Sequence, residues 1–405
     1  MNPTETYHYY REIFRGKRLP LAFVDLNAFD ANVAYVAQLA RKFGKTIRLG
    51  SKSIRSAALM RRIFEHDPEV FRGILTFTAE ESAWLAKQGF DDLIVAYPSV
   101  QPGDMAHLVE LTRAGKTVRL MVDNETHLRA LSEAGQAANL QLRACLELDM
   151  AYHPLGLSAF HLGVRRSPLR DPDEVLRLVE AARNYPGVRI DSLMGYEGHI
   201  AGISDDVPGA SLKNGLLRVV KALSIRELTA RRDRVVESLR ANGIELPLVN
   251  GGGSGSLIST GQDPLVTEIT VGSGFYASGL FHHYKDVHFQ PAAFFALQIV
   301  RLPTEGMITC QGGGYIASGE VGLEKQPLPM YPAGLKYLSL EGAGEVQTPF
   351  VLPKDSPQLQ IGDPVFLQHA KAGELCERFN ELWLVQDGKL VDKVNTYRGD
   401  GQAFL

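Results

Sequence analysis

TIRLGSKSIRS (Thr46–Ser56) runs from a short, partly β-branched stretch through a glycine to a lysine held between two serines. Its strand-then-turn pattern returns in GILTF (73–77), DLIVAY (92–97), TVRLMVD (117–123) and LRACLELD (142–149). RIDSLMGY (189–196), LPLVNGG (246–252) and TEITVG (267–272) complete a series of eight. Helical patterns such as AEESAWLAKQGF, NETHLRALSEAG and DPDEVLRLVEAARNYPG fill most of the gaps. Eight apolar strands alternating with helices are the signature of a closed parallel (β/α)8 barrel of the TIM type. A doubly wound open sheet is the rival, but eight units in roughly 230 residues suit the barrel's usual ~250.

Outward from this series the chain changes character on both sides. LAFVDL (21–26) reads as a strand. The segment after it puts Phe29, Val33, Val36, Ala40 and Phe43 on one helical face, with Asn27 as N-cap and Gly44 closing the helix. From about Phe289 onward, AAFFALQIVRL, GMITCQGGG, PVFLQHA, ELWLVQDGKLVDKV and NTYRG read as strands with short turns. The expected organisation is an arm and strand over 1–26 that joins a β domain, a barrel over 27–285 and a mostly antiparallel β domain over 286–405. The polar connection AGISDDVPGASLKN (201–214) is longer than the others and reads as a solvated insertion or a lid over the barrel mouth.

The composition is that of an ordinary globular protein: 45% hydrophobic, 22% charged, formal charge −3. That charge gives no reason to expect a nucleic acid or anionic membrane as partner, and no apolar run approaches a membrane span. The N-terminus lacks an apolar signal core. Three scattered cysteines, Cys145, Cys310 and Cys376, suit a reducing compartment, so a cytoplasmic location is expected.

In a barrel, Lys52 falls at the C-terminal end of the first strand, on the face where such enzymes do their chemistry. A lysine amine forms a Schiff base when burial or a nearby cation lowers its pKa, and Arg48 and Arg55 are close in sequence. After the seventh strand, VNGGGSGS (249–256) offers Asn250, Gly251, Gly252, Gly253 and Ser254 as a nest for phosphate, where barrels commonly bind one. The eighth strand ends in VGSGFYASG, with Gly272 and Tyr276 beside the first loop, and MGYEGHIAG brings Tyr196 and His199 to the same mouth. A phosphorylated aldehyde held on a lysine satisfies all of these, and pyridoxal 5′-phosphate is the cofactor of that kind.

With these motifs the chain resembles the fold-type III pyridoxal-phosphate enzymes, and within them the branch of D-threonine aldolase and eukaryotic-type D-serine dehydratase. The resemblance rests on PLAFVDL, on Arg48 leading to Lys52, on Tyr196-Glu197-Gly198-His199, and on Gly252-Gly253-Ser254. Glu268 through Gly272 and Arg398-Gly399 extend it. It implies Lys52 as the Schiff-base lysine, His199 as a catalytic base, and Arg48, Tyr196 and Tyr276 near the cofactor. Members of this branch keep a His-x-Asp or His-x-Cys pair for a metal, followed by Asn. Here the stretch reads QHAKAGELCERFN, with Lys371 two residues after His369. Anchored on Asn380, the altered set is His369, Glu374 and Cys376, donors suited to zinc or manganese; the alternative is a lost site, with His369 acting alone on the substrate's hydroxyl.

The function implied is a pyridoxal-phosphate lyase on β-hydroxy D-amino acids. It would act either as an aldolase giving glycine and an aldehyde or as a deaminating dehydratase. An amino-acid racemase, with Tyr331 or Tyr337 as second base, and a non-catalytic pyridoxal-phosphate-binding protein are the alternatives. The resemblance also implies a homodimer with a small amino acid as substrate.

Overall fold

The computed structural model describes residues 1–157, 159–319 and 322–404. The chain opens with helix α1 (Pro3–Ile13), which the sequence reading left as an arm. Its signal is local: Asn2 and Glu5 form a reciprocal capping box, and Pro3 takes the first helical turn. Strand β1 (Leu21–Asp25) follows, then helix α2 (Leu26–Phe43). The N-cap of α2 is Asp25 rather than Asn27: its carboxylate accepts from the backbone N–H of Asn27 and of Ala28. Gly44 ends the helix at φ 66°, the left-handed conformation a glycine adopts without strain.

Eight parallel strands then close into a barrel: β2 (Thr46–Gly50), β3 (Phe71–Thr76), β4 (Leu93–Val95), β5 (Val118–Val122), β6 (Leu142–Glu147), β7 (Val188–Gly195), β8 (Leu248–Gly251) and β9 (Glu268–Val271). Closure is made by β2 on β9, with Arg48 opposite Thr270. The near-continuous apolar runs follow from burial on both faces, helices outside and barrel contents inside. Inside, two kinds of layer alternate. Ile94, Met121, Cys145 and Met194 form a small apolar cluster of their own. An ion network crosses the interior as well, with Arg48 on Asp92 (2.9 Å) and Glu268 (2.6 Å), and Arg119 on Asp92 and Asp191 (both 2.8 Å).

The remaining strands are β10 (Ala293–Arg301), β11 (Met307–Gln311), β12 (Leu328–Tyr331), β13 (Lys336–Tyr337), β14 (Gln347–Val351), β15 (Pro364–Gln368), β16 (Glu381–Gln386) and β17 (Lys389–Asn395). Strand β1 lies in this sheet, antiparallel to β10 and parallel to β16, so the nine-stranded order runs β13-β14-β11-β10-β1-β16-β17 with β15 and β12 continuing from β10. Phe23 of β1 stacks on Phe294 at 5.4 Å, and Tyr10 of α1 donates to Asp25 (2.8 Å), which fixes the helix over the sheet. NTYRG, read as a strand, turns away after Asn395. The Tyr397 N–H donates to Arg55 O (2.8 Å) and its hydroxyl to the buried Glu81 (2.8 Å), contacts with the barrel that a sheet position would not allow.

The polar connection after β7 is tied down. The N–H groups of Asp205 and Asp206 donate to His283 O (3.0 and 2.9 Å), and from Ser211 the chain is already in a helix that runs to Ala241. Among the described residues no helix is long and apolar enough to cross a membrane.

Candidate active site

The C-terminal ends of the barrel strands open onto a cavity of about 190 Å³. Gly50, Leu75, Thr76, Met194, Asn250 and Thr270 come to it directly from the strands, at or near their C-terminal ends. Lys52, Tyr196, Gly252, Gly253, Ser254 and Gly272 line it from the loops. Seven of the sequence-derived site residues are therefore brought together: Lys52, Tyr196, Asn250, Gly252, Gly253, Ser254 and Gly272.

Lys52 sits in a single 3-10 turn, Ser51–Ser53, just beyond β2. Ser51 donates to Leu75 O (3.0 Å) and Arg55 donates through Nε to Lys52 O (2.9 Å), so the turn is held at both ends. The lysine is exposed to the cavity, with the barrel mouth around it. Burial, then the charges of Arg166 and Arg55, hold it below the usual lysine range. Arg166 is the stronger of the two cations, and sequence proximity gave no hint of it.

The two glycine-serine loops meet across the cavity wall. The Ser254 hydroxyl accepts from the N–H of Gly274 (3.0 Å) and of Gly272 (3.3 Å), stitching the loop after β8 to the loop after β9. A Cβ on Gly253 would lie 2.9 Å from that of Ala201, and one on Gly272 would lie 2.8 Å from Gly50 O. The backbone approaches so closely only without side chains. Besides the Gly272 and Gly274 amides held by Ser254, two more are engaged, Gly252 N–H with the Glu197 carboxylate and Gly253 N–H with Ser256 Oγ (3.0 Å). The wall offered to an anion is thus the remaining backbone of both loops with the Ser254 and Ser273 hydroxyls, a narrower nest than the run of glycines suggested. Glu197 is itself buried against Arg232, which also pairs with Asp263, so an ion triad braces this loop from behind.

Four residues expected at the cavity lie elsewhere. Arg48 is fully buried in the barrel interior on Glu268, and Glu268 in turn accepts from Asn250 Nδ2 (2.8 Å). Asn250 also accepts from Thr270 (2.9 Å), so Arg48 acts on the cavity only by orienting residues that line it. Gly251 faces Arg232, Thr260 and Glu197. Tyr276 donates its hydroxyl to Ile54 O (2.9 Å), behind the lysine turn. His199 is buried against the long helix and shares a hydrogen bond with Ser224. Burial, then Arg231, pushes its pKa down to about 4, so the ring is neutral at pH 7; it is its place, bonded to Ser224 and off the cavity lining, that separates it from the expected role of base. Tyr337, a candidate second base, donates to Pro327 O (2.7 Å).

The proposed metal set does not converge. Among the described residues no group of three or more His, Cys, Asp or Glu is placed to hold an ion. Glu374 and Cys376 are two apart on the short helix Glu374–Arg378, and residues at that spacing point to different sides. Cys376 donates to Ile54 O (3.3 Å), and burial pushes its thiol up to about 12, leaving it protonated. Glu374 accepts the backbone N–H of Lys371 (2.7 Å), while both nitrogens of the buried His369 ring are without hydrogen-bond partners among the described residues. The donor set does not fit a metal centre.

Sequence reasoning missed Arg166, Tyr97 and Lys371. Arg166 NH1 lies 3.4 Å from Glu147 Oε1, and its guanidinium lies over Tyr97 (5.3 Å) and Tyr196 (5.0 Å). The only signal for it was a double arginine in the long connection after β6. Lys371 reaches the cavity from the C-terminal sheet domain, a placement that only the three-dimensional packing reveals.

Residues 24–278 match the family described as alanine racemase, N-terminal domain. A D-threonine aldolase of Arthrobacter sp is 25% identical over 260 residues, 64% of this chain and 61% of the relative. A D-threo-3-hydroxyaspartate dehydratase of Delftia sp. (strain HT23) is 24% identical over 256 residues, 62% of this chain and 60% of the relative. The chain thus matches about three-fifths of the length of these curated relatives. The crystal structure of D-threonine aldolase from Filomicrobium marinum superposes with a TM-score of 0.80 at 19% identity, covering 96% of each chain.

Proposed function

The chain belongs to the alanine racemase N-terminal domain family, within the fold-type III enzymes, and on that premise we propose that it is a pyridoxal-phosphate-dependent lyase acting on β-hydroxy D-amino acids. The observation that carries this reading is the meeting of Lys52, Arg166 and two glycine-serine loops on one cavity wall at the C-terminal end of the barrel. The residues present fit the cofactor. The loops after β8 and β9, with the Ser254 and Ser273 hydroxyls, would take the phosphate, and Lys52 would take the aldehyde carbon. When bound, the cofactor supplies a sink for the electron pair left at Cα as a bond to that atom breaks.

The rest follows from this chain's own groups. A lysine held below its usual range presents more neutral amine at pH 7, the form that attacks a carbonyl. Once substrate displaces it, the freed Lys52 amine would be the base for the Cα proton if water is eliminated, whereas retro-aldol cleavage takes no proton from Cα. Arg166, held by Glu147 and two tyrosine rings, is a fixed cation for the anionic parts of the ligand. Tyr196, its pKa raised by burial, keeps its proton and offers a hydrogen bond into the cavity. No step is assigned to a metal, because the His369, Glu374 and Cys376 donors do not meet. The relatives carry the names of an aldolase and a dehydratase. Which bond breaks here is read from products: glycine plus aldehyde, or oxo acid plus ammonia.

The test is direct. Purified protein supplied with pyridoxal phosphate should gain a visible absorbance band, and borohydride reduction should leave the label on the peptide containing Lys52. A label on another lysine, or L-isomer as the sole product from D-substrates, would refute the proposal.

A further inference from the structure

The cavity is one-sided in charge. Lys52, Arg166 and Lys371 line it, and no aspartate, glutamate or histidine does. Under the lyase reading Lys52 is occupied by the cofactor aldehyde. Arg166 is already fixed between Tyr97 and Tyr196 with Glu147 at its back. Lys371 has no such assignment.

Its loop is built to hold a position. The N–H groups of Gly279 and Leu280, at the end of the barrel domain, donate to the carbonyls of His369 (2.9 Å) and Ala370 (3.0 Å). Glu374 clamps the Lys371 backbone N–H, and its other oxygen, Oε2, has no hydrogen-bond partner among the described residues. Gly373, at φ 83°, packs so closely on the lysine turn that a Cβ there would lie 2.4 Å from Lys52 O. The loop from the sheet domain is therefore seated directly on the Lys52 turn and brings a second ammonium to the same cavity. Around it the wall is mixed, with Leu280 and Phe77 among the apolar members. Lys371 is exposed at the cavity, so an alkyl substituent would gain nothing from its ammonium, whereas a carboxylate would gain a charge-assisted hydrogen bond.

We propose that Lys371 is a specificity residue that holds a second carboxylate, carried on Cβ of the substrate, so that dicarboxylic β-hydroxy D-amino acids are preferred over those with an alkyl group there. This rests on the lyase reading. The holoenzyme should show a higher kcat/KM for D-threo-3-hydroxyaspartate than for D-threonine. Lys371→Ala should lower that ratio by about 3- to 10-fold, and Lys371→Arg should retain most of it. A wild-type preference for D-threonine, or a ratio that Lys371→Ala does not move, would overturn the proposal. Calorimetry separates the two levels: succinate should bind the wild-type holoenzyme more tightly than butyrate, and Lys371→Ala should erase the difference. If that discrimination appears while neither amino acid is turned over, the carboxylate site stands and the lyase reading falls. If turnover appears without it, Lys371 is not the carboxylate site and the lyase reading survives.

Discussion

The barrel mouth and the stretch from His369 to Cys376 both looked like functional sites, and only one is assembled. At the mouth, each residue is delivered by a strand end or a tight turn whose place is set by the closed barrel. Strand register and period-two alternation then aim Asn250, Thr270 and Gly50 at one volume. In the other stretch the residues sit on an irregular loop and a five-residue helix, and two positions along that helix turn a side chain most of the way round. Chemical suitability was equal in both places, and geometry decided between them.

The sharpest way to break this contrast is at Lys52. Lys52→Ala should lower turnover by at least about 10²–10⁴-fold and remove the visible absorbance, measured on protein reconstituted with cofactor. If activity and absorbance persist, the mouth is no more a site than the loop. Next in size is the support beneath it. Glu268→Gln removes the carboxylate from buried Arg48 and should cost about 3–5 kcal/mol of stability in denaturant titrations. The glutamine keeps a carbonyl oxygen that accepts from Asn250, so the loss falls on the charge facing Arg48.

A pH experiment tests the joint between the two regions. Buried Glu81 accepts from Phe77 N–H and Tyr397 OH, and burial raises its pKa to about 7. The folded state therefore binds this proton more tightly than the unfolded chain. The contribution is fully present below the unfolded pKa near 4.5 and is lost as pH rises through about 7. Melting curves across that window should fall with pH in the wild type and less steeply in Glu81→Gln. Smaller effects complete the series. His199→Gln should change kcat far less than the ~10²–10⁴-fold of a lost base. Cys376→Ala with thorough chelation should leave turnover unchanged; a chelator-sensitive enzyme rescued by zinc would restore the metal set.

Much of the barrel was legible because its signal is periodic: eight apolar runs at regular spacing, and a glycine wherever backbones approach. Lys52 and the loops after β8 and β9 were found because barrel strands end on one face. Arg48 was misplaced for a related reason. Two residues along the same strand face separate Arg48 in the interior network from Gly50 at the mouth, and a motif does not say how deep in the barrel a strand residue lies. Arg166 was hidden in a connection without periodicity, and Lys371 comes from a different domain. Nothing local in the chain encodes either contact.

The placement of β1 has a consequence for how the molecule is made. Asn27, just past that strand, bonds Asp387 across 360 positions of chain (2.8 Å), and β1 is flanked by strands from far downstream. On a ribosome adding about 5–20 residues per second, the barrel has all its strands long before β1 has its neighbour β16. For that interval an apolar strand waits with an open edge, until a segment some 360 residues downstream covers it.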